Sequence, residues 1–342
     1  MAQQLADFQK YYVRSLRHAG YDILGEHKHA AYKPCEYWKL ALTKRIFCYK
    51  FWFYGIPTHR CIQWSPIIDC NQMCLFCWRP QPADFGLPPV QEVREVYDNP
   101  EELLDLAVEA FRKRLKGFHP RYRKKTDPVV WEDAWRKGPG HLATSLIGEP
   151  LLYPFIDDIM RLAKKKYGMT TFIVSNGTRP DVLERMHTLP DQLYISMVGG
   201  DFKTWAIATR PLINAREQWK AFLGTLELIP SLNTRVVVRI TAVKYLNMKN
   251  IENYARLISL AQPDFVEVKG FSYIGGAKAK SRGLSRKNVP TMEDIRNFAY
   301  ALARLIGYEV YDEIKRPRIV LLWNGKTPLE LRPKKEYPYA RR

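Results

Sequence analysis

Cys70, Cys74 and Cys77 stand within eight residues in the spacing C-x3-C-x2-C, followed at once by Trp78, Arg79 and Pro80. All six cysteines of the chain lie between positions 35 and 77. Three disulfides would suit a small secreted domain short of core, whereas this chain has 342 residues and no signal-peptide-like apolar start. Metal binding is the better reading of the cysteines. Structural zinc asks for four ligands in paired short spacings, and this loop offers three. Three thiolates on one loop suit a cubane iron-sulfur cluster with one iron left open to a ligand that is not protein. Zinc and disulfide bonding remain the alternatives.

A loop of that kind needs a scaffold that holds it still. From residue 101 onward, segments of period 3.6 alternate with β-branched runs. Helices are expected in EELLDLAVEAFRKRLKG, PFIDDIMRLAKKKYG (stopped by Gly168), RPDVLERMHTL, AREQWKAFLGTLELI and NIENYARLISLA. TMEDIRNFAYALARLIG adds another, with Thr291 and Asp294 arranged as a capping box and Gly307 at its end. Strands are expected in CIQWSPIID, GHLATSLIG, MTTFIVSNG, DQLYISMV, TRVVVRITAV, DFVEVKGF and RIVLLW. Seven strands separated by helices demand parallel pairing with right-handed crossovers. No glycine-rich dinucleotide or P-loop signature favours an open doubly wound sheet. The fold class is therefore α/β, a barrel or partial barrel.

C-x3-C-x2-C with an aromatic residue, Phe76, before the last cysteine resembles the radical S-adenosylmethionine (SAM) superfamily. The resemblance implies a partial TIM barrel of (β/α)6 type whose first [4Fe-4S] cluster sits on the loop after strand 1, held by Cys70, Cys74 and Cys77. It implies that the open iron chelates SAM and that the cluster's electron yields a 5'-deoxyadenosyl radical. Other landmarks should then follow the carboxyl ends of later strands, where barrels carry their active sites. SLIGEP places Gly148 and Glu149 after strand 2, resembling the segment that pairs with the SAM amino group; IVSNGT places Ser175 and Asn176 after strand 3 for its ribose or carboxylate. Arg239, a charge within an apolar strand, is expected to meet a buried anion such as a carboxylate. Each has a plainer alternative: a helix cap, a turn, a structural ion pair.

Cys35, Cys48 and Cys61 are spaced 13 and 13 apart in a basic, aromatic-rich stretch that ends nine residues before Cys70. A free buried cysteine is commonly a small hydrophobe, but three so placed are read as ligands of a second cluster that also keeps an open iron. Together with RIFCYKFWFYGIPTHRC, WRP, IGEPLLYP, FIVSNGT, VVVRITAVK and FVEVKGF, this pattern resembles the archaeal-type 4-demethylwyosine synthases of wybutosine biosynthesis, from about Cys35 to Gly307. The resemblance implies two [4Fe-4S] clusters, SAM, and pyruvate as co-substrate. The implied reaction converts N1-methylguanosine beside the anticodon of tRNA-Phe into tricyclic 4-demethylwyosine. Lys50 matches the family lysine that carries pyruvate as a Schiff base, and a lysine among aromatics beside a cluster has its ammonium disfavoured; the alternative is a surface or anion-binding charge. Ser196 matches the serine at the SAM-binding end of strand 4, but MVGGD follows it where the family has an Ala-Pro-like turn.

The excess of 54 Lys and Arg over 35 Asp and Glu, +19, points to a polyanionic partner. The basic loops at 116–125 and 275–288 offer phosphate contacts, and Trp78 or Tyr54 could stack a flipped base. No apolar run approaches a membrane span, so a cytoplasmic monomer served by an external electron donor is expected. The organisation is expected to be an extension over 1–61 with the second cluster, a radical SAM partial barrel over 62–290, and a C-terminal helix, strand and basic tail over 291–342. Competing readings are a methylthiotransferase-like two-cluster tRNA enzyme and a non-catalytic zinc-dependent RNA-binding protein.

Overall fold

A computed structural model describes residues 2–85, 87 and 96–342, with residues 2–9 described as backbone alone. Helix α1 (Ala2–His18) leads into two short strands, β1 (Asp22–Leu24) and β2 (Ala30–Tyr32). Helices α2 (Glu36–Lys44) and α3 (Tyr49–Tyr54) follow, with Cys35 and Cys48 at their N-caps. The alternating part then runs β3 (Cys61–Ser65), α4 (Pro100–Lys116), α5 (Pro128–Lys137), β4 (His141–Thr144), α6 (Ile156–Lys165), β5 (Thr170–Ser175), α7 (Pro180–Arg185) and β6 (Gln192–Ser196). It continues through α8 (Phe202–Thr209), α9 (Ala215–Leu228), β7 (Arg235–Ala242), α10 (Ile251–Ala261), β8 (Phe265–Gly270), α11 (Met292–Ile306), β9 (Glu309–Ile314) and β10 (Ile319–Trp323). The expected stops are in place: Thr291 and Asp294 bond reciprocally at the start of α11, and Gly307 ends it in the left-handed region.

All ten strands form one open sheet in the order β1-β2-β3-β4-β5-β6-β7-β8-β10-β9. Strands β3 to β8 pair in parallel, which is the expected partial barrel of six βα units. RIVLLW, expected as a seventh parallel strand, instead runs antiparallel to β8. The crossover through α11 delivers β9, and β10 returns from it as a hairpin strand inserted between β8 and β9. Strand β9 escaped the sequence reading because EVYDEI is a charged, exposed edge with no apolar run.

Strand periodicity splits the sheet into two environments. The convex face, with Ile62, Leu142, Ile173, Ile195, Val238 and Val266, packs under the helices. The concave face presents Ala143, Phe172, Tyr194, Val237, Phe265, Ile319 and Leu321, and α3 with the turn after it covers that face through Tyr49, Phe53, Tyr54 and Ile56. A six-residue helix has almost no stability alone, but each ring it buries contributes roughly 2–3 kcal/mol. Packing into the lumen therefore makes α3, and so fixes the residue between Tyr49 and Phe51.

Candidate active site

The loop after β3 is tied down from three sides. Beneath it, Met73 and Leu75 donate their N–H groups to the carbonyls of Arg210 and Ala208, and Leu212 N–H reaches Asn71 O. Behind it, buried Arg282 donates to the carbonyls of Cys77 and of Arg79 (3.0 Å) and forms an ion pair with Asp84. In front lies the turn after β4. Gly148 has φ +76°, and a Cβ there would stand 2.4 Å from Ile67 O and 2.6 Å from Asp69 O, so only glycine lets the two loops touch. Glu149 N–H donates to Asp69 O at 2.8 Å across that contact.

Glu149 is buried at 2 % exposure, and its carboxylate accepts from Asn176 N–H (2.7 Å) and Leu151 N–H (3.1 Å). Burial pushes this carboxyl up to about 7, with those donors working in the opposite direction. It is also the cap of the turn at Pro150–Leu152, so the plainer reading of Glu149 holds alongside any ligand role. The Asn176 amide donates to Asn71 Oδ1 at 2.7 Å, and the Asn71 amide to Thr178 Oγ1 at 2.7 Å. Ser175 Oγ accepts from Gly177 N–H. Cys70, Cys74, Cys77, Gly148, Glu149, Ser175 and Asn176 thus gather at the carboxyl ends of β3, β4 and β5. Asn71 and Thr178, which knit the group together, have no signal in the sequence beyond their nearness to it.

A second group lies in the lumen. Cys35 accepts from Trp38 N–H, Cys48 Sγ accepts from the Thr58 hydroxyl at 3.4 Å, and Cys61 opens β3. The three act on one another electrostatically; burial pushes the Cys35 thiol up to about 11 and raises that of Cys61 as well. Burial likewise raises Cys70 and Cys74. All six cysteines are free and partly buried. Among the described residues no three metal-ligating side chains close around a single ion. Two soft thiolate triplets, each shielded from solvent, fit the iron-sulfur group that the sequence points to.

Lys50 extends from α3 over the rings of Phe172 (4.8 Å) and Tyr194 (5.1 Å), with no hydrogen-bond or ion-pair partner among the described residues. Burial and then the like charge of Arg239 push its ammonium below the ordinary lysine value. The anion expected beside Arg239 is Glu267, directly across from it on β8. The pair meets at 2.7 Å, and Arg239 also donates to Tyr49 Oη at 2.9 Å. Tyr54 is wholly buried and donates to Glu267 at 2.8 Å, so it cannot stack a base as expected, whereas Trp78 is 42 % exposed. Ser196 ends β6 in register with Arg239, and its hydroxyl has no partner among the described residues. The glycines after it are steric: a Cβ on Gly199 would meet Trp205 N at 2.4 Å. Of the basic loops, 121–125 is exposed throughout, and in 275–288 Lys278, Lys280, Arg286 and Lys287 face solvent while Arg282 does not. Sequence reasoning missed Lys269 and His141 as lumen residues, the latter fully buried with an Nε2 that has no partner among the described residues. No helix among the described residues is long and apolar enough to cross a membrane.

An open α/β sheet with a three-cysteine loop after its first parallel strand defines a class, and the comparisons agree on it. Residues 64–258 match the radical SAM superfamily, so the chain is a radical SAM enzyme, which implies SAM and an iron-sulfur cluster. Residues 260–324 match the wyosine base formation family. The chain is 41 % identical over 307 residues to the S-adenosyl-L-methionine-dependent tRNA 4-demethylwyosine synthase of Pyrococcus abyssi, covering 88 % of this chain and 85 % of that one. The mouse enzyme of the same name, TYW1, is 33 % identical over 92 % of this chain and 42 % of its own length. The solved structure of TYW1 with a lysine-pyruvate adduct bound superposes with a TM-score of 0.78 at 30 % identity, over 95 % of this chain and 98 % of that one. The chain belongs to the tRNA 4-demethylwyosine synthases.

Proposed function

We propose that this chain converts N1-methylguanosine next to the anticodon of tRNA-Phe, with pyruvate, into 4-demethylwyosine, and that Lys50 carries the pyruvate. In this reading Cys70, Cys74 and Cys77 hold one [4Fe-4S] cluster and Cys35, Cys48 and Cys61 a second. A cluster held by Cys70, Cys74 and Cys77 would, with SAM bound, supply the radical chemistry that acts on the N-methyl group. The polypeptide's part is positional. Glu149, fixed by two backbone donors, offers its carboxyl oxygens to the SAM amino group, while Ser175, Asn176 and Ser196 offer hydroxyl and amide groups to its polar atoms. Residues 1–61 form the part that brings the second triplet and Lys50 to the barrel of 62–290, and 291–342 complete its far edge. The exposed cations of 116–125 and 275–288 and the exposed Trp78 ring serve the RNA. The enzyme works as a cytoplasmic monomer with an external electron donor.

The observation that carries the reading is Lys50, a buried lysine with no hydrogen-bond or ion-pair partner among the described residues, lodged in the lumen beside the second triplet. Its neutral amine adds to the pyruvate carbonyl carbon, and the carbinolamine loses water to give an imine. Borohydride reduces that imine to a secondary amine, so labelled pyruvate should mark the wild type irreversibly. Equal marking of Lys50→Ala would remove Lys50 from this role.

A further inference from the structure

Five side chains form an alternating ladder of cations and rings across the lumen. Lys50 and Arg239 flank Tyr194, at 5.1 and 4.3 Å from its centroid. Arg239 and Lys269 flank Tyr49, at 5.8 and 5.2 Å. The ladder holds three cationic side chains and borders one carboxylate. That carboxylate, Glu267, is saturated: it accepts from Arg239 through two nitrogens (2.8 and 2.7 Å), from Tyr54 (2.8 Å) and from Tyr194 (3.3 Å). Arg239 is thereby neutralised in place. Lys269 is not, because among the described residues its ammonium has no hydrogen-bond or ion-pair partner and lies over the Tyr49 ring.

Lys269 projects from β8 on the same strand face as Glu267, two residues earlier, and opposite Thr241. Its side chain is partly buried, so its charge lacks full hydration, and the nearby carboxylate that acts on it, Glu267, is already paired with Arg239. Burial, then the repulsion of Arg239, brings its ammonium down to about 8, which leaves it mostly charged at neutral pH. Such a position lacks one monoanion that is small enough to enter beside α3.

We propose that Lys269 forms a carboxylate subsite for the 2-oxo acid held at Lys50. This rests on the reading of Lys50 above and extends it: Lys50 takes the carbonyl carbon, and Lys269 takes the carboxylate on the adjacent carbon. The subsite makes the lumen selective for 2-oxo acids over neutral ketones and aldehydes.

Oxamate separates the two parts of the claim, because it carries the same carboxylate but its amide carbonyl forms no imine. Oxamate binding would be measured by calorimetry on the anaerobically reconstituted enzyme, for wild type, Lys269→Met, Lys269→Arg and Lys50→Ala. The expected result is a dissociation constant raised at least about tenfold in Lys269→Met, as for loss of a charge-assisted hydrogen bond. Lys269→Arg should stay within a few-fold of wild type. The KM for pyruvate should rise in Lys269→Met while the KM for SAM does not. Wild-type oxamate affinity in Lys269→Met, or equal loss in Met and Arg variants, would overturn the subsite. Pyruvate trapping that persists in Lys50→Ala with oxamate still dependent on Lys269 would instead overturn the Lys50 reading and leave the subsite standing.

Discussion

Arg282 carries more of the active-site architecture than its place in a basic loop suggests. Its side chain is 1 % exposed and that of Asp84 is 9 %, so the pair is out of water. The guanidinium also donates to the Cys77 and Arg79 carbonyls, two groups of the cluster loop itself. Replacing Arg282 with methionine keeps the volume and leaves Asp84 buried without its cation, which should cost about 3–5 kcal/mol. In urea that is a fall in midpoint of roughly 1–2 M. Asp84 keeps one donor, Gln81 N–H at 2.8 Å, so the lower end of the range is expected. The double variant Arg282→Met with Asp84→Leu removes the stranded charge and should recover most of the stability. It should not recover the loop, because the two carbonyl contacts are still gone, and iron content per chain should stay below wild type. The assay is a double-variant cycle of urea unfolding with iron quantified in parallel. A single variant within about 1 kcal/mol of wild type, or a double variant no more stable than the single, would refute the argument.

Glu149 gives a signed pH effect. Its folded-state carboxyl lies above its unfolded value, so the folded protein binds more protons between about pH 4.5 and 7 and this group's contribution to stability is lost as pH rises through that window. Without SAM, wild type should therefore lose stability relative to Glu149→Gln between pH 5 and 8, by an amount on the order of 3 kcal/mol; parallel unfolding curves would contradict it. Gly148→Ala should lower both stability, by roughly 1–3 kcal/mol, and iron retention, because its Cβ collides with the Ile67 and Asp69 carbonyls. Binding of tRNA should weaken steeply with salt, and replacing exposed Lys280 and Lys287 with alanine should flatten the log-log slope by roughly two; an unchanged slope would place the RNA elsewhere.

Much of this was legible in the chain because the signals are local. Cysteine spacing is a property of one loop, and the six parallel strands announce themselves as apolar runs between amphipathic helices. What escaped depends on register or on burial. Arg239 demanded an anion, yet only the pairing of β7 with β8 identifies it as Glu267. Lys269 looks unremarkable in FVEVKGF until strand alternation turns it into the lumen. YKFWFY is too short to read as a helix and becomes one by filling the concave face. The strands β1 and β2 are three residues each, below what a period of two can show, and β9 is polar because it is an edge. Trp78 and Tyr54 looked equivalent as aromatic candidates, and burial alone tells them apart.

Turnover decides whether this radical SAM fold builds the third ring of a tricyclic guanine from pyruvate. The reconstituted enzyme would be incubated anaerobically with SAM, a reductant, carbon-labelled pyruvate and tRNA-Phe bearing N1-methylguanosine, and the digested nucleosides weighed by mass spectrometry. The expected product is 4-demethylwyosine that carries label from pyruvate and depends on Lys50 and on both cysteine triplets. SAM cleavage with unmodified N1-methylguanosine, or a methylthio-modified nucleoside in its place, would contradict it.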